Sequence, residues 1–130
     1  VHLDVKPANL IQTPDGTIKL IDFGLAQESN TAQELLHGMA YGSAAYLSPE
    51  QASGETVDGA SDVYSLGCTL FFLLTGRAPY DGSSPERKLF AHREHPISDL
   101  REIREDVPSS LSELFQKMVA KNPDDRLQER

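Results

Sequence analysis

Two short β-prone runs near the start of the chain, Leu10-Ile11-Gln12-Thr13 and Thr17-Ile18-Lys19-Leu20-Ile21, flank Pro14-Asp15-Gly16. Proline presets φ and glycine accepts positive φ, so this run, turn and run predict a β-hairpin. Such a hairpin holds Asn9 at its entrance and Asp22 at its exit, bringing two oxygen-bearing side chains to one place. Residues 25–47 show neither helical nor alternating periodicity beyond a hint at Leu35-Leu36, and read as one long loop. Loops beyond about 12–15 residues inside compact domains are usually functional or disordered, and a substrate-facing segment is the functional reading here.

Asp58 to Thr75 carries the longest helical pattern. Val63, Leu66, Leu70, Phe71, Leu73 and Leu74 wrap nearly all round it, which predicts a central helix buried on every side, and Gly76 fits a C-cap. The apolar run from Leu66 to Leu74 contains Gly67 and Thr69 and falls well short of the about 20 residues a membrane-spanning helix needs. No membrane segment is therefore expected in this chain. A shorter helix is expected from Pro85 to near Glu94, with Leu89 and Phe90 inward. Ser110-x-x-Glu113 resembles a capping box, and Leu111, Leu114, Phe115, Met118 and Val119 recur at helical spacing until Asn122-Pro123 stops the helix. The pattern as a whole is mainly α with a small β-hairpin.

Composition narrows the classes. A chain of 130 residues has the size of one domain with one core. Twelve basic against twenty acidic residues give a net charge of −8, with no Lys/Arg stripe to neutralise successive phosphates, so no nucleic-acid partner is expected. The single Cys68 lies in an apolar run and reads as a small core hydrophobe in a reducing, cytoplasmic setting. His37, His92 and His95 are scattered over loop and helix-surface positions without Cys or carboxylate spacing, so no zinc site is expected, and His2 reads as a packing and hydrogen-bonding residue beneath its loop.

The chemistry is concentrated at the start. His2, Asp4, Lys6 and Asn9 place an acid, a base and an amide in one short loop, and Asp22-Phe23-Gly24 follows the hairpin. These two strings resemble the catalytic and metal-binding loops of protein kinases. Gly42-Ser43-Ala44-Ala45-Tyr46-Leu47-Ser48-Pro49-Glu50 resembles the end of a kinase activation segment, and Ser61-Asp62-Val63-Tyr64-Ser65-Leu66-Gly67 the start of the central helix. The resemblance spans essentially the whole chain. It is to the C-terminal lobe of serine/threonine protein kinases, and Gly42 to Glu55 looks especially like the bacterial branch. It implies a partial kinase domain over residues 1–130, cut from an α+β parent. A chain that begins inside its own catalytic loop leaves no room upstream for a Gly-rich loop or a strand lysine, so the N-terminal lobe is expected to be absent.

The resemblance also implies roles. Phosphoryl transfer needs an in-line hydroxyl, metal ions across the phosphates and an acceptor for the hydroxyl proton. Asp4 would orient the hydroxyl and take its proton, Asn9 and Asp22 would hold Mg²⁺, and Lys6 would offset charge on the phosphoryl group leaving ATP. Gly24 would give Asp22 freedom to swing. Glu50 would pair with Arg126, and Asp62 would accept backbone N–H groups of the catalytic loop. Lys6 two residues after Asp4, and Ser43 where such kinases usually carry Thr, imply a protein substrate with a Ser/Thr acceptor. Leu3 departs from the family's usual Arg, so no guanidinium beside Asp4 stands ready to receive a phosphate on Ser29 or Thr31. The alternative reading is a non-catalytic kinase-like interaction module, which would be free to lose Asp4, Asn9 or Asp22; all three are present.

Overall fold

A computed structural model describes residues 2–21, 44–80 and 84–127. A 3-10 turn at Pro7–Asn9 leads into β1 (Leu10–Gln12), which pairs antiparallel with β2 (Ile18–Leu20) in the register Leu10 with Leu20 and Gln12 with Ile18. The strands are shorter than the sequence pattern suggests. Between them, Thr13 N donates to Thr17 O at 2.8 Å and Gly16 N to Thr13 O at 2.9 Å, closing the expected turn. The remaining described elements are helical: α1 (Pro49–Ala52), α2 (Gly59–Thr75), α3 (Pro85–Glu94), α4 (Leu100–Ile103), α5 (Ser109–Met118) and a 3-10 turn at Pro123–Asp125. No helix among the described residues is long and apolar enough to cross a membrane.

The core forms around α2 and α5. Tyr64, Cys68 and Phe71 of α2 pack with Phe115 and Val119, and with Leu100, Ile97 and Val107 from the α3–α5 connections. Asp58 caps α2, accepting from Ala60 N at 2.9 Å, and Gly76 ends it at a φ of +81°, a conformation that favours glycine. Ser84 caps α3 and Pro85 occupies its first turn, where a missing N–H costs nothing.

Several expectations are corrected. The helix Gly59–Thr75 is not buried all round: Leu66 and Leu73 are exposed, Leu73 by 61%. Its buried stripe instead includes Ser61, Ser65 and Thr69, whose hydroxyls bond to Glu50 or to backbone carbonyls. On α3, Leu89 is inward as expected but Phe90 is 50% exposed, and the fully buried side chain is His92. The Ser110-x-x-Glu113 string does not form a capping box. Pro108 precedes α5 with no side-chain cap, and Leu114 faces solvent. A reciprocal box does occur at Ser48 and Gln51, ahead of α1. Finally, the stretch read as loop to residue 47 ends in a buried segment, Ala44 to Leu47; residues 22–43 lie outside the described residues.

One buried ion pair joins distant parts of this frame. Arg126 Nη1 and Nη2 donate to Glu50 Oε2 and Oε1 at 2.6 and 2.9 Å. Burial disfavours the Glu50 carboxylate, but hydrogen bonds from Arg126 and Ser61 more than compensate and hold its pKa below the usual value. Removing one partner of such a pair strands a buried charge. Arg126→Ala should therefore cost about 3–5 kcal/mol, read as a fall in the urea midpoint; a melting temperature within a degree or two of wild type would show that the pair contributes nothing.

Acid should act on a second buried group. Burial, with the Lys121 charge next in weight, pushes His92 down to about 3. In the unfolded chain the ring protonates near pH 6.5, so between about pH 6.5 and 3 the unfolded state binds the extra proton. Stability from this residue is complete above about pH 6.5 and falls as pH drops, by up to about 1.4 kcal/mol per unit. Urea titrations at pH 7, 6 and 5 should show this slope in wild type and a shallower one in His92→Gln; parallel slopes would mean that His92 is accessible to protons in the fold.

Candidate active site

Catalytic-loop geometry starts from a strained residue. Leu3 is buried and has a φ of +68°, the left-handed region in which a Cβ-bearing residue costs roughly 1–2 kcal/mol. Neighbouring groups hold it there. Asp62, in the first turn of α2, accepts His2 N at 2.7 Å and Leu3 N at 2.8 Å on its two oxygens, and Gln51 Nε2 of α1 donates to Leu3 O at 3.4 Å. Asp4, the residue that follows, keeps a side chain only 11% exposed.

His2 supports the same loop from below. Its Nε2 lies 2.9 Å from the Ile21 carbonyl, which can only accept, so Nε2 carries the proton and Nδ1 accepts Asp4 N at 3.0 Å. One imidazole thus ties the catalytic loop to the end of the hairpin, and Ile21 N donates back to Asn9 O at 2.8 Å. His2 is a supporting residue that the sequence pattern placed correctly beneath the loop.

Around Asp4 the described side chains converge. Asn9 Nδ2 donates to Asp4 O at 2.8 Å and to Asp4 Oδ2 at 3.1 Å, and Lys6 Nζ stands 3.7 Å from the same Oδ2. The amide and the ammonium together orient the carboxylate. Asn9 is buried, and among the described residues nothing donates to its Oδ1. A buried carbonyl oxygen without a donor fits a hard-cation ligand. Asp22, Gly24 and Ser43 lie outside the described residues.

Two residues that carry this site were harder to find. Gln51, which reaches Leu3 O, has no motif of its own, and only its place three residues after a Ser N-cap could have marked it. Ser61, bonded to Glu50 Oε2 at 2.7 Å, shares a helical turn with Asp62, so the buried pair and the loop anchor rest on adjacent residues of α2.

Asp62→Ala should leave the His2 and Leu3 amides without acceptors. The cost is about 1–3 kcal/mol for each amide that stays buried, and the strain at Leu3 loses its counterweight. Hydrogen exchange should show both amides losing protection, with Asp62→Asn intermediate; unchanged protection in Asp62→Ala would remove the anchor role.

Comparison with known proteins places this geometry in a family. A model of the protein kinase domain matches residues 1–129. Serine/threonine-protein kinase PknB of Mycolicibacterium smegmatis is 46% identical over 98% of this chain, which corresponds to 21% of that protein. PknB of Mycobacterium tuberculosis H37Rv is 42% identical over 98% of the chain and 21% of its own length. A probable serine/threonine-protein kinase of Clostridium acetobutylicum is 38% identical over 98% of the chain and 20% of its own length. The chain thus spans about one-fifth of the curated relatives it matches. With a catalytic loop held as described and a family match over nearly every residue, the chain belongs to the protein kinase family, among relatives that are bacterial serine/threonine kinases.

Proposed function

We propose that this chain is the C-terminal lobe of a longer bacterial serine/threonine protein kinase, transferring the γ-phosphoryl group of ATP to a Ser or Thr hydroxyl of a protein. The observation that supports this reading most is the convergence of Asn9 and Lys6 on one oxygen of Asp4, on a loop anchored by Asp62. A non-catalytic module has no need for that arrangement.

In this reading Asp4 receives the acceptor hydroxyl and takes its proton as the oxygen attacks phosphorus. Asn9 Nδ2 and Lys6 hold the carboxylate plane, so the base needs no reorganisation at the moment of transfer. Lys6 adds positive charge beside the phosphoryl group in flight. Mg²⁺, when bound, neutralises charge on the phosphate oxygens, and Asn9 through Oδ1 with Asp22 would hold it. The nucleotide's other contacts belong to an N-terminal lobe, and the ATP supply implies a cytoplasmic location for the catalytic part.

The test uses the full-length protein that contains these residues. Asp4→Ala should lower kcat by about 10²–10⁴-fold with ATP·Mg²⁺ affinity nearly unchanged. Asp22→Ala should weaken Mg²⁺-dependent nucleotide binding. The 130-residue chain alone should label no generic basic protein when given radiolabelled ATP. Robust labelling by the isolated chain, or identical binding profiles for the two variants, would refute the assignment, and a wild-type full-length protein that labels no Ser or Thr would favour the interaction-module reading.

A further inference from the structure

Gln51 of α1 keeps a neutral amide at 1% exposure, and both ends of that amide are used. Its Oε1 accepts from Ser48 N and from Ser48 Oγ, each at 3.1 Å. A backbone N–H only donates, so Oε1 faces Ser48 and Nε2 faces the other way, toward Leu3 O at 3.4 Å. The capping box ahead of α1 needs the oxygen alone, and a glutamate would serve it equally well. The nitrogen is surplus to the cap. Its partner lies 48 residues earlier in the chain, on the catalytic loop.

Leu3 O belongs to the peptide that joins Leu3 to Asp4. The N–H of that same peptide, on Asp4, donates to His2 Nδ1 at 3.0 Å. One peptide plane is therefore held at both edges, from within the loop by His2 and from α1 by Gln51. The residue before it stands at a φ of +68°, with its own N–H held by Asp62 at 2.8 Å. Strain of this kind persists only where the surroundings over-determine the backbone, and Gln51 supplies the hold on the carbonyl edge. Its own footing is firm, because the neighbouring residue on α1 is Glu50, whose two oxygens are taken by Arg126.

We propose that Gln51 is a positioning residue for phosphoryl transfer: by donating Nε2–H to Leu3 O it locks the peptide that carries Asp4 to α1, and so keeps the Asp4 carboxylate in register with the acceptor hydroxyl. The inference rests on the kinase reading and deepens it, adding a group that touches neither nucleotide nor substrate. Asn9 and Lys6 work on the side chain of Asp4, whereas Gln51 works on its backbone. The loop is thus held by an acceptor on α2, Asp62, and by a donor on α1, Gln51.

Gln51→Glu separates the two ends of the amide, since a carboxylate accepts from Ser48 as Oε1 does but has no proton for Leu3 O. In the full-length protein at pH 9, with ATP·Mg²⁺ and a Ser/Thr peptide, this variant should lower kcat about tenfold while both KM values stay within about twofold of wild type. Toward pH 6 the new carboxyl takes a proton and regains a donor, and the deficit against wild type at the same pH should shrink to about threefold or less. A residue that only caps α1 would show no such recovery. Gln51→Met, uncharged and close in shape, removes both ends and should carry the kcat deficit at every pH; it decides the case if the carboxylate is not tolerated in the fold. Wild-type kcat in either variant at pH 9, a loss carried by either KM, or a deficit in Gln51→Glu that does not shrink toward pH 6 would overturn the proposal. A wild-type protein without kinase activity would defeat the underlying reading, whereas an active wild type matched by both variants would defeat the positioning role alone.

Discussion

The guanidinium of Arg126 is the constraint on which the described structure depends. A guanidinium has five N–H donors and no acceptor, and once buried each donor must find a partner. Here Nη1 and Nη2 take both oxygens of Glu50, and the remaining donors go to the carbonyls of Ala120, Ala60 and Lys121. The plane of the group also lies over the Tyr64 ring, at 5.0 Å. Its acceptors come from α1, from the first turn of α2 and from the end of the chain, so no one of these can move without stranding a charge. That is why a pair which adds little net stability against an apolar replacement can still dictate a single arrangement.

The constraint passes to the catalytic loop through adjacent residues. Ala60 O and Ser61 Oγ serve the ion pair, and Asp62 serves the backbone of His2 and Leu3. An unfavourable φ at Leu3 persists because the surroundings over-determine it, one residue before Asp4. Leu3 is itself buried and apolar, so the residue that precedes Asp4 brings no charge beside it. The described contacts that hold the loop come from below, through Asp62, His2 and Gln51.

Buried polarity recurs in the core. Tyr64, Thr69, His92 and Ser65 occupy positions that a purely apolar helix pair would fill with leucine, and each has a hydrogen-bond partner. Desolvation pushes the Cys68 thiol up to about 12, so it behaves as the small hydrophobe its apolar neighbours suggested. Lys121, pulled down to about 8 by burial, is the cation that closes this region between Tyr64 and Tyr80. Directional bonds among so many buried groups favour one packing over near alternatives, which suits a frame that must hold a strained loop in register.

Local rules were enough for the elements whose signals are local. The turn at Pro14-Asp15-Gly16, the Asp58 and Gly76 ends of α2, and the clustering of Asp4, Lys6 and Asn9 were all legible, because turn chemistry, capping and short spacing act over a few residues. What tertiary structure decided was which face of each element is covered. The pattern marks α2 as apolar nearly all round but not that Leu73 would be left in solvent while Ser61 and Thr69 went inside. On α3 it could not choose His92 over Phe90, since the choice depends on an acceptor at Ala45 and a donor at Tyr64, both far along the chain. The same holds for Gly67, whose absent Cβ would lie 2.6 Å from Val119 Cγ1: only the close approach of the segment following α5 makes a glycine necessary in the middle of a helix. Contacts between residues distant in sequence set burial, and burial sets the cost of every polar group, so these features belong to the fold and not to any one stretch of its sequence.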